Sequence, residues 1–324
     1  MFMLLANAIK EFLNGYFSTH ERSNKTRGAY ATDLDQFGSF IGAEAELGSV
    51  SAALIEAWAA DLRKRNYSPA SMRRKMVVLK VFCSYWLRRG VLNESPFWRV
   101  HLSLGRIQQL PRALTEVEMS KLLAHAAEHA DAQVARKRCV VASGSLRSTG
   151  NAYRNLRNLA LIDLLFATGM RVGEASSLDT NDFVITECAF KVKGKGGRDR
   201  LAFVVDDQTV RIQQQHYEAR SLIKSESSAL FLNAAGKRLS TQGIANVIAE
   251  FRRNAGIDRP ITPHMLRHTV ATLLLRNGAD IRVVQEFLGH ASIATTQRYT
   301  HIAKEHLIGA LRKHHPSLGF RARA

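Results

Sequence analysis

His264, Arg267, His290 and Tyr299 fall within one stretch, TPHMLRHTVATLLLRNGADIRVVQEFLGHASIATTQRYTH, at residues 262–301, and upstream Arg171 opens RVGE while Lys195 lies in GKGG. The set offers one nucleophile among cations and hydrogen-bond donors. A guanidinium suits a phosphate because its planar fork donates to two oxygens at once and stays charged. Phosphoryl transfer gathers negative charge on the non-bridging oxygens in the transition state. Arg171, Arg267 and a histidine donor aimed there stabilise that state more than the ground state. Tyr299 is the member of the set able to form a covalent phosphoester, once nearby cations stabilise its phenolate. Lys195 is a reasonable general acid for a leaving 5′-oxygen. Such chemistry acts on a phosphodiester without a metal or any other cofactor.

Taken singly, each piece has an ordinary reading. His-x-x-Arg on a helix is usually a surface pair, GKGG a turn, Tyr299 a half-buried aromatic and His290 a helix cap. Their joint occurrence in this order is the specific signal.

These residues need elements to hold them. The 324-residue chain is long enough for two domains, and its 46 Lys and Arg against 28 Asp and Glu give a net charge of +18. That excess favours a polyanion, with DNA, RNA and an anionic membrane surface all compatible. No apolar run reaches the length of a membrane span. The opening MFMLLANAIKEF lacks a basic segment and a small-residue cleavage site, so no secretory signal is expected. Cys83, Cys139 and Cys188 are isolated and outside any CxxC pattern, which predicts a reduced, cytoplasmic protein without structural zinc.

Apolar spacing predicts helices over 7–16, 24–41, 51–65 and 68–89, with Ser51 and Ser68 as starts and Pro69 following Ser68. On the fourth, Met72, Met76, Leu79, Phe82 and Trp86 form one stripe, and Arg73, Arg74, Lys75 and Lys80 are expected to point away from it. They are read either as a solvated face or as facing DNA. Residues 93–111, with Pro96 and Pro111 at either end, read as a connection. Thr115 and Glu118 form a capping-box pattern. Residues 128–158 carry the basic knot Arg136, Lys137 and Arg138, expected to bind DNA together with the cations of the fourth helix, and then a turn-rich stretch. LALIDLLFATG predicts a buried helix ending at Gly169, after which a helix restarts beside Arg171; residues 183–205 alternate as a hairpin around KGKGGRDR, and a further helix begins after Pro263.

On ATGMRVGEASSLDTNDF, KGKGGRDR, LTEVEMSKLL and the 262–301 stretch, the chain resembles the tyrosine recombinase family, the phage-integrase and Xer-like site-specific DNA recombinases. The resemblance covers the carboxy-terminal half almost throughout and the amino-terminal half more loosely, around SPASMRRKMVVLKVFCSYWLRRGVLNESPF. It implies a mainly α fold with a small antiparallel β-sheet, in two domains. These are a helical, SAM-like core-binding domain at 1–104, a linker at 105–113, a catalytic domain at 114–305 and a tail at 306–324 that contacts a neighbouring subunit. By the same resemblance, Arg171, Lys195, His264, Arg267 and His290 are catalytic, Tyr299 is the nucleophile of a 3′-phosphotyrosyl link, and Glu174 supports the site. The implied enzyme needs neither ATP nor metal. It works as a homo-tetramer, or a hetero-tetramer with a related recombinase, on double-stranded DNA with an inverted-repeat core site, through a Holliday junction. A topoisomerase-like (type IB) relaxing enzyme and a non-catalytic DNA-binding protein of the same fold are the alternatives. Two departures stand out: residues 123–157 form a longer passage than is usual, and Val270 stands where an aromatic is common. Integration, excision and resolution remain open; the long passage mildly favours a mobile-element enzyme.

Overall fold

The computed structural model describes residues 3–20, 24–42, 44–103, 113–128, 151–194, 199–289 and 301–321. The chain divides into two compact units, Met1–Leu110 and Pro111–Ala324.

The first unit is helical: α1 (Leu5–Thr19), α2 (Asn24–Ile41), α3 (Ala52–Lys64) and α4 (Pro69–Arg88). Ser51 Oγ accepts from Leu54 N at 3.3 Å and Ser68 Oγ from Ser71 N at 3.2 Å, so each serine satisfies a backbone donor that a helix start leaves unpaired. Inside, Phe12 meets Phe82 edge-on at 5.4 Å, and Phe37 meets Trp58 at 4.9 Å.

Helix α4 corrects one expectation. Lys75 does not face outward: it is 2% exposed, and its Nζ donates to Asp33 Oδ1 of α2 at 2.7 Å and to Gln36 Oε1. The reason lies in spacing. Lys75 follows Met72 by three residues and precedes Leu79 by four, so it shares their face. Arg74 reaches the other oxygen of Asp33 at 2.6 Å, and Arg73 and Lys80 are exposed. Beside them runs a groove of about 530 Å³ lined by Val77, Lys80, Ser84, Tyr85 and Arg88 with Tyr16 of α1.

The second unit opens with α5 (Glu116–Glu128). The predicted capping box forms: Glu118 N donates to Thr115 Oγ1 at 3.2 Å and Thr115 N to Glu118 Oε2 at 2.8 Å. The long helix α6 (Asn151–Thr168) is buried nearly all round. It starts earlier than the apolar run suggests, because Tyr153, Leu156 and Arg157 already lie on its inner side. Buried Arg157 donates to Leu232 O at 2.7 Å, which offsets the cost of placing a charge there. After α7 (Val172–Ser177) come β1 (Phe183–Val184), β2 (Ala189–Val192) and β3 (Arg200–Phe203), an antiparallel sheet in the order β1-β2-β3. Val192 opposes Arg200 where the predicted hairpin narrows toward its turn.

Helices α8 (Asp207–Ser221), α9 (Thr241–Asn254), α10 (Pro263–Arg276) and α11 (Ile281–Leu288) follow, then α12 (His301–His314) and α13 (Pro316–Arg321). The irregular passage between α8 and α9 is tied down by arginines: Arg220 donates to the carbonyls of Ala229, Ile223 and Ser227. Leu307, Leu311 and His315, from the segment expected to reach a neighbour, are buried on this unit, and Asn277 Nδ2 donates to His314 O at 2.9 Å. Among the described residues no helix is long and apolar enough to cross a membrane.

Candidate functional site

Gly169 ends α6 with φ +56°, a left-handed turn that a side chain strains. A Cβ there would stand 2.6 Å from Leu288 Cδ2, so it would also have to displace a side chain of α11. The turn sets Arg171 at the cap of α7. Its backbone N–H donates to Glu174 Oε2 at 2.9 Å, its Nη1 to Glu174 Oε1 at 2.7 Å, and its Nη2 lies 3.4 Å from the carbonyl of Gly289. The Arg171 side chain remains 44% exposed, so part of its guanidinium edge faces outward.

Arg267 comes from α10, whose start is fixed by Thr262 as cap and Pro263 at the first position. It is buried, and its fork spans two elements: Nη1 donates to Gly169 O and Nη2 to Leu288 O, both at 2.7 Å. Burial, reinforced by the cations of Arg171 and Arg200, lowers its pKa to about 10, so it stays charged at neutral pH. His264 is exposed on the first turn of α10, three residues before Arg267 and hence on the same side.

Sequence reading assigned no role to the residue that completes this group. Arg200, at the start of β3, donates Nη2 to Glu174 Oε2 at 2.9 Å, and its side chain lies across Gly289. Gly289 caps α11 with φ +65°, and a Cβ there would stand 2.5 Å from Arg200 Nε. Burial alone would raise the Glu174 carboxyl, but the Arg171 N–H, the Arg200 charge and the Arg171 guanidinium outweigh it and hold the group below the ordinary range. Three guanidiniums around one carboxylate leave two positive charges in excess. Such a field attracts an anion.

The structure therefore gathers Arg171, Glu174, Arg267 and Arg200 around the end of α11. Lys195, His290 and Tyr299 lie outside the described residues, as do Arg136, Lys137 and Arg138. The flanks of the β2–β3 turn are described, with Gly194 N donating to Asp199 Oδ1 at 3.3 Å.

A model of the phage integrase family matches residues 112–306, and one of the phage integrase N-terminal SAM-like domain matches residues 9–90. Tyrosine recombinase XerC of Listeria welshimeri is 32% identical over 312 residues, covering 95% of this chain and 97% of that protein. Tyrosine recombinase XerD of Halalkalibacterium halodurans is 32% identical over 318 residues, 96% of this chain and 98% of that protein. Among solved structures, a lambda integrase tetramer bound to a Holliday junction superposes with a TM-score of 0.66 over 92% of this chain and 80% of that one; at 15% identity the likeness is one of fold.

Proposed function

The chain belongs to the phage integrase family, and from that premise we propose how it carries out site-specific recombination as a DNA strand-transferring enzyme. Tyr299 Oη attacks the scissile phosphorus while His264 takes its proton. The bond to the 5′-oxygen breaks, and Lys195 Nζ protonates that oxygen. Arg171, Arg267 and His290 hold the non-bridging oxygens. The 3′-phosphotyrosine keeps the energy of the broken linkage, so a 5′-hydroxyl from the partner strand rejoins it without ATP, and the guanidiniums supply the charge stabilisation that a metal would otherwise give.

One observation carries this reading: the forks of Arg171 and Arg267, set 96 positions apart (267 − 171), are both anchored on the carbonyls that end α11, Gly289 and Leu288, with a net positive field about them. The helical first unit serves as the core-binding domain, with the linker at 105–113 and the catalytic domain at 114–305. Four copies, or two pairs with a related recombinase, assemble on inverted repeats and pass through a Holliday junction, the outward side of the tail after residue 306 touching the neighbour while Leu307 and Leu311 stay buried on their own unit. The protein works in the cytoplasm. The XerC and XerD relatives match along both units, which favours a recombinase over a relaxing enzyme.

The test uses a pool of nicked duplexes with randomised arms, from which covalent adducts are captured on denaturing gels. Wild-type protein is expected to yield an adduct, and Tyr299→Phe to bind the recovered duplex equally well and yield none. An adduct with Tyr299→Phe overturns the assignment of the nucleophile; no adduct with wild type overturns the mechanism.

A further inference from the structure

We propose that Arg200 is a positioning residue for strand transfer: it holds Glu174, and through Glu174 the Arg171 guanidinium, in register with the end of α11. The inference rests on the function proposed above, in which Arg171 binds the scissile phosphate.

Arg200 makes two different contacts with one side chain. Its Nη2 donates to Glu174 Oε2 at 2.9 Å, and that same oxygen accepts the backbone N–H of Arg171 at 2.9 Å. The other carboxylate oxygen accepts Arg171 Nη1 at 2.7 Å. Glu174 is thus a bridge between two guanidiniums, and both Glu174 and Arg200 are 10% exposed while Arg171 is 44% exposed. The largely covered pair braces the exposed cation. The second contact is steric. The Nε–Cδ portion of Arg200 lies against Gly289, where a Cβ would be only 2.5 and 2.7 Å away. Arg171 Nη2 approaches the carbonyl of that same glycine at 3.4 Å, and Arg267 Nη2 donates to the carbonyl just before it.

Arg200 thereby links three segments remote in sequence: the base of the β2–β3 hairpin, the cap of α7 and the carboxy-terminal end of α11. A bare ion pair needs only a charge. Resting Cδ and Nε against a glycine while Nη2 donates to a carboxylate beyond it needs a side chain longer than lysine's. Displacing a reacting group by about 1 Å can slow chemistry by about 10²-fold, so bracing of this kind bears on rate rather than on affinity.

The experiment measures adduct formation in single turnover on the duplex recovered above, together with affinity for that duplex. Arg200→Gln is expected to bind as wild type does and to form adduct about 10²-fold more slowly per bound complex. Arg200→Lys is expected to recover only part of the rate. Combining Arg200→Gln with Glu174→Gln is expected to be no slower than the worse single variant, because both break one chain of contacts. A residue that merely stabilises the fold would lower the folded fraction and leave the rate per bound complex unchanged. That result, full activity in Arg200→Lys, or additive losses in the double variant would each overturn the proposal. Should Arg200→Gln fail to fold, Arg200→Lys against Glu174→Gln decides by the same rates. An inactive wild type would sink the proposed function instead, and this inference with it.

Discussion

Arg259 grips Glu118 by both carboxylate oxygens, Nε to Oε1 at 2.6 Å and Nη2 to Oε2 at 2.5 Å, and gives a further hydrogen bond to Ala113 O at 2.9 Å. The clasp fastens the first described residues of the second unit to the loop that leads into α10. Leu114 N reinforces it by donating to Thr269 Oγ1 at 2.7 Å on α10 itself. The Arg259 hydrogen bonds, opposed by partial burial and aided by Thr115, pull the Glu118 carboxyl from an ordinary 4.5 to about 2. A depressed carboxylate contributes stability above its unfolded pKa and loses it as pH falls toward the folded one. Glu118→Gln is expected to cost about 1 kcal/mol near neutrality, the scale of a bidentate pair still open to solvent. In urea titrations that gap should narrow as pH drops below 4.5 toward 2. A gap that widens with acid would assign the stability to another group.

Arg267 bridges Gly169 O and Leu288 O with two separate nitrogens of one fork, each at 2.7 Å, a reach that the shorter lysine side chain does not match. Arg267→Lys leaves one buried carbonyl without its donor, a loss of about 1–3 kcal/mol. Adduct formation is expected to fall further than the folded fraction does, because the lost fork also serves the phosphate. Parallel urea unfolding and single-turnover cleavage separate the two effects, and a cleavage loss equal to the loss of folded protein would leave Arg267 a structural role alone.

Local signals and long-range ones were unequally legible. Ser51, Ser68, Thr115 with Glu118, and Pro263 each mark a helix start through local chemistry, and the structure starts a helix at each of them. Periodicity likewise predicted α2 over 24–41, its observed span. Lys75 was readable but misread: its spacing from Met72 and Leu79 places it on the apolar stripe, and only the chemistry of its side chain suggested otherwise. Arg200 was legible only as part of KGKGGRDR. Its partners are Glu174, 26 residues before, and Gly289, 89 residues after, and no sequence period reports a meeting of that kind. The early start of α6 was hidden for a related reason, since Arg157 is buried there by a carbonyl 75 residues away.

Gly169→Ala tests the seam between α6 and α11. Positive φ strains any Cβ, and here the added carbon would meet Leu288 Cδ2 at 2.6 Å. A loss of about 1–3 kcal/mol is expected. Gly173, with nothing within 4 Å of its added Cβ and inside helix α7, serves as the control. Gly173→Ala is expected to be neutral or to stabilise by about 0.5–1 kcal/mol, through the lower entropy of its unfolded chain. Thermal unfolding of the two variants should move in opposite directions or by clearly unequal amounts; equal losses would mean that the turn at Gly169 is not constrained.

Helix α4 offers the sharpest contrast between two roles for one charge type. Arg73 and Lys80 are exposed, whereas Lys75 is held by Asp33 beneath the surface. Each exposed cation that pairs with a phosphate releases counterions, so Arg73→Ala and Lys80→Ala should each reduce the slope of log affinity against log salt by about 0.9. Lys75→Met should leave that slope unchanged, because its ammonium reaches no phosphate. Instead it strands Asp33 with Arg74 alone and should cost about 3 kcal/mol of stability, the low end for breaking a buried pair. Filter binding on supercoiled plasmid across a salt series, read beside urea unfolding, distinguishes the two. A reduced slope in Lys75→Met with stability intact would return Lys75 to the DNA-facing surface and overturn the correction.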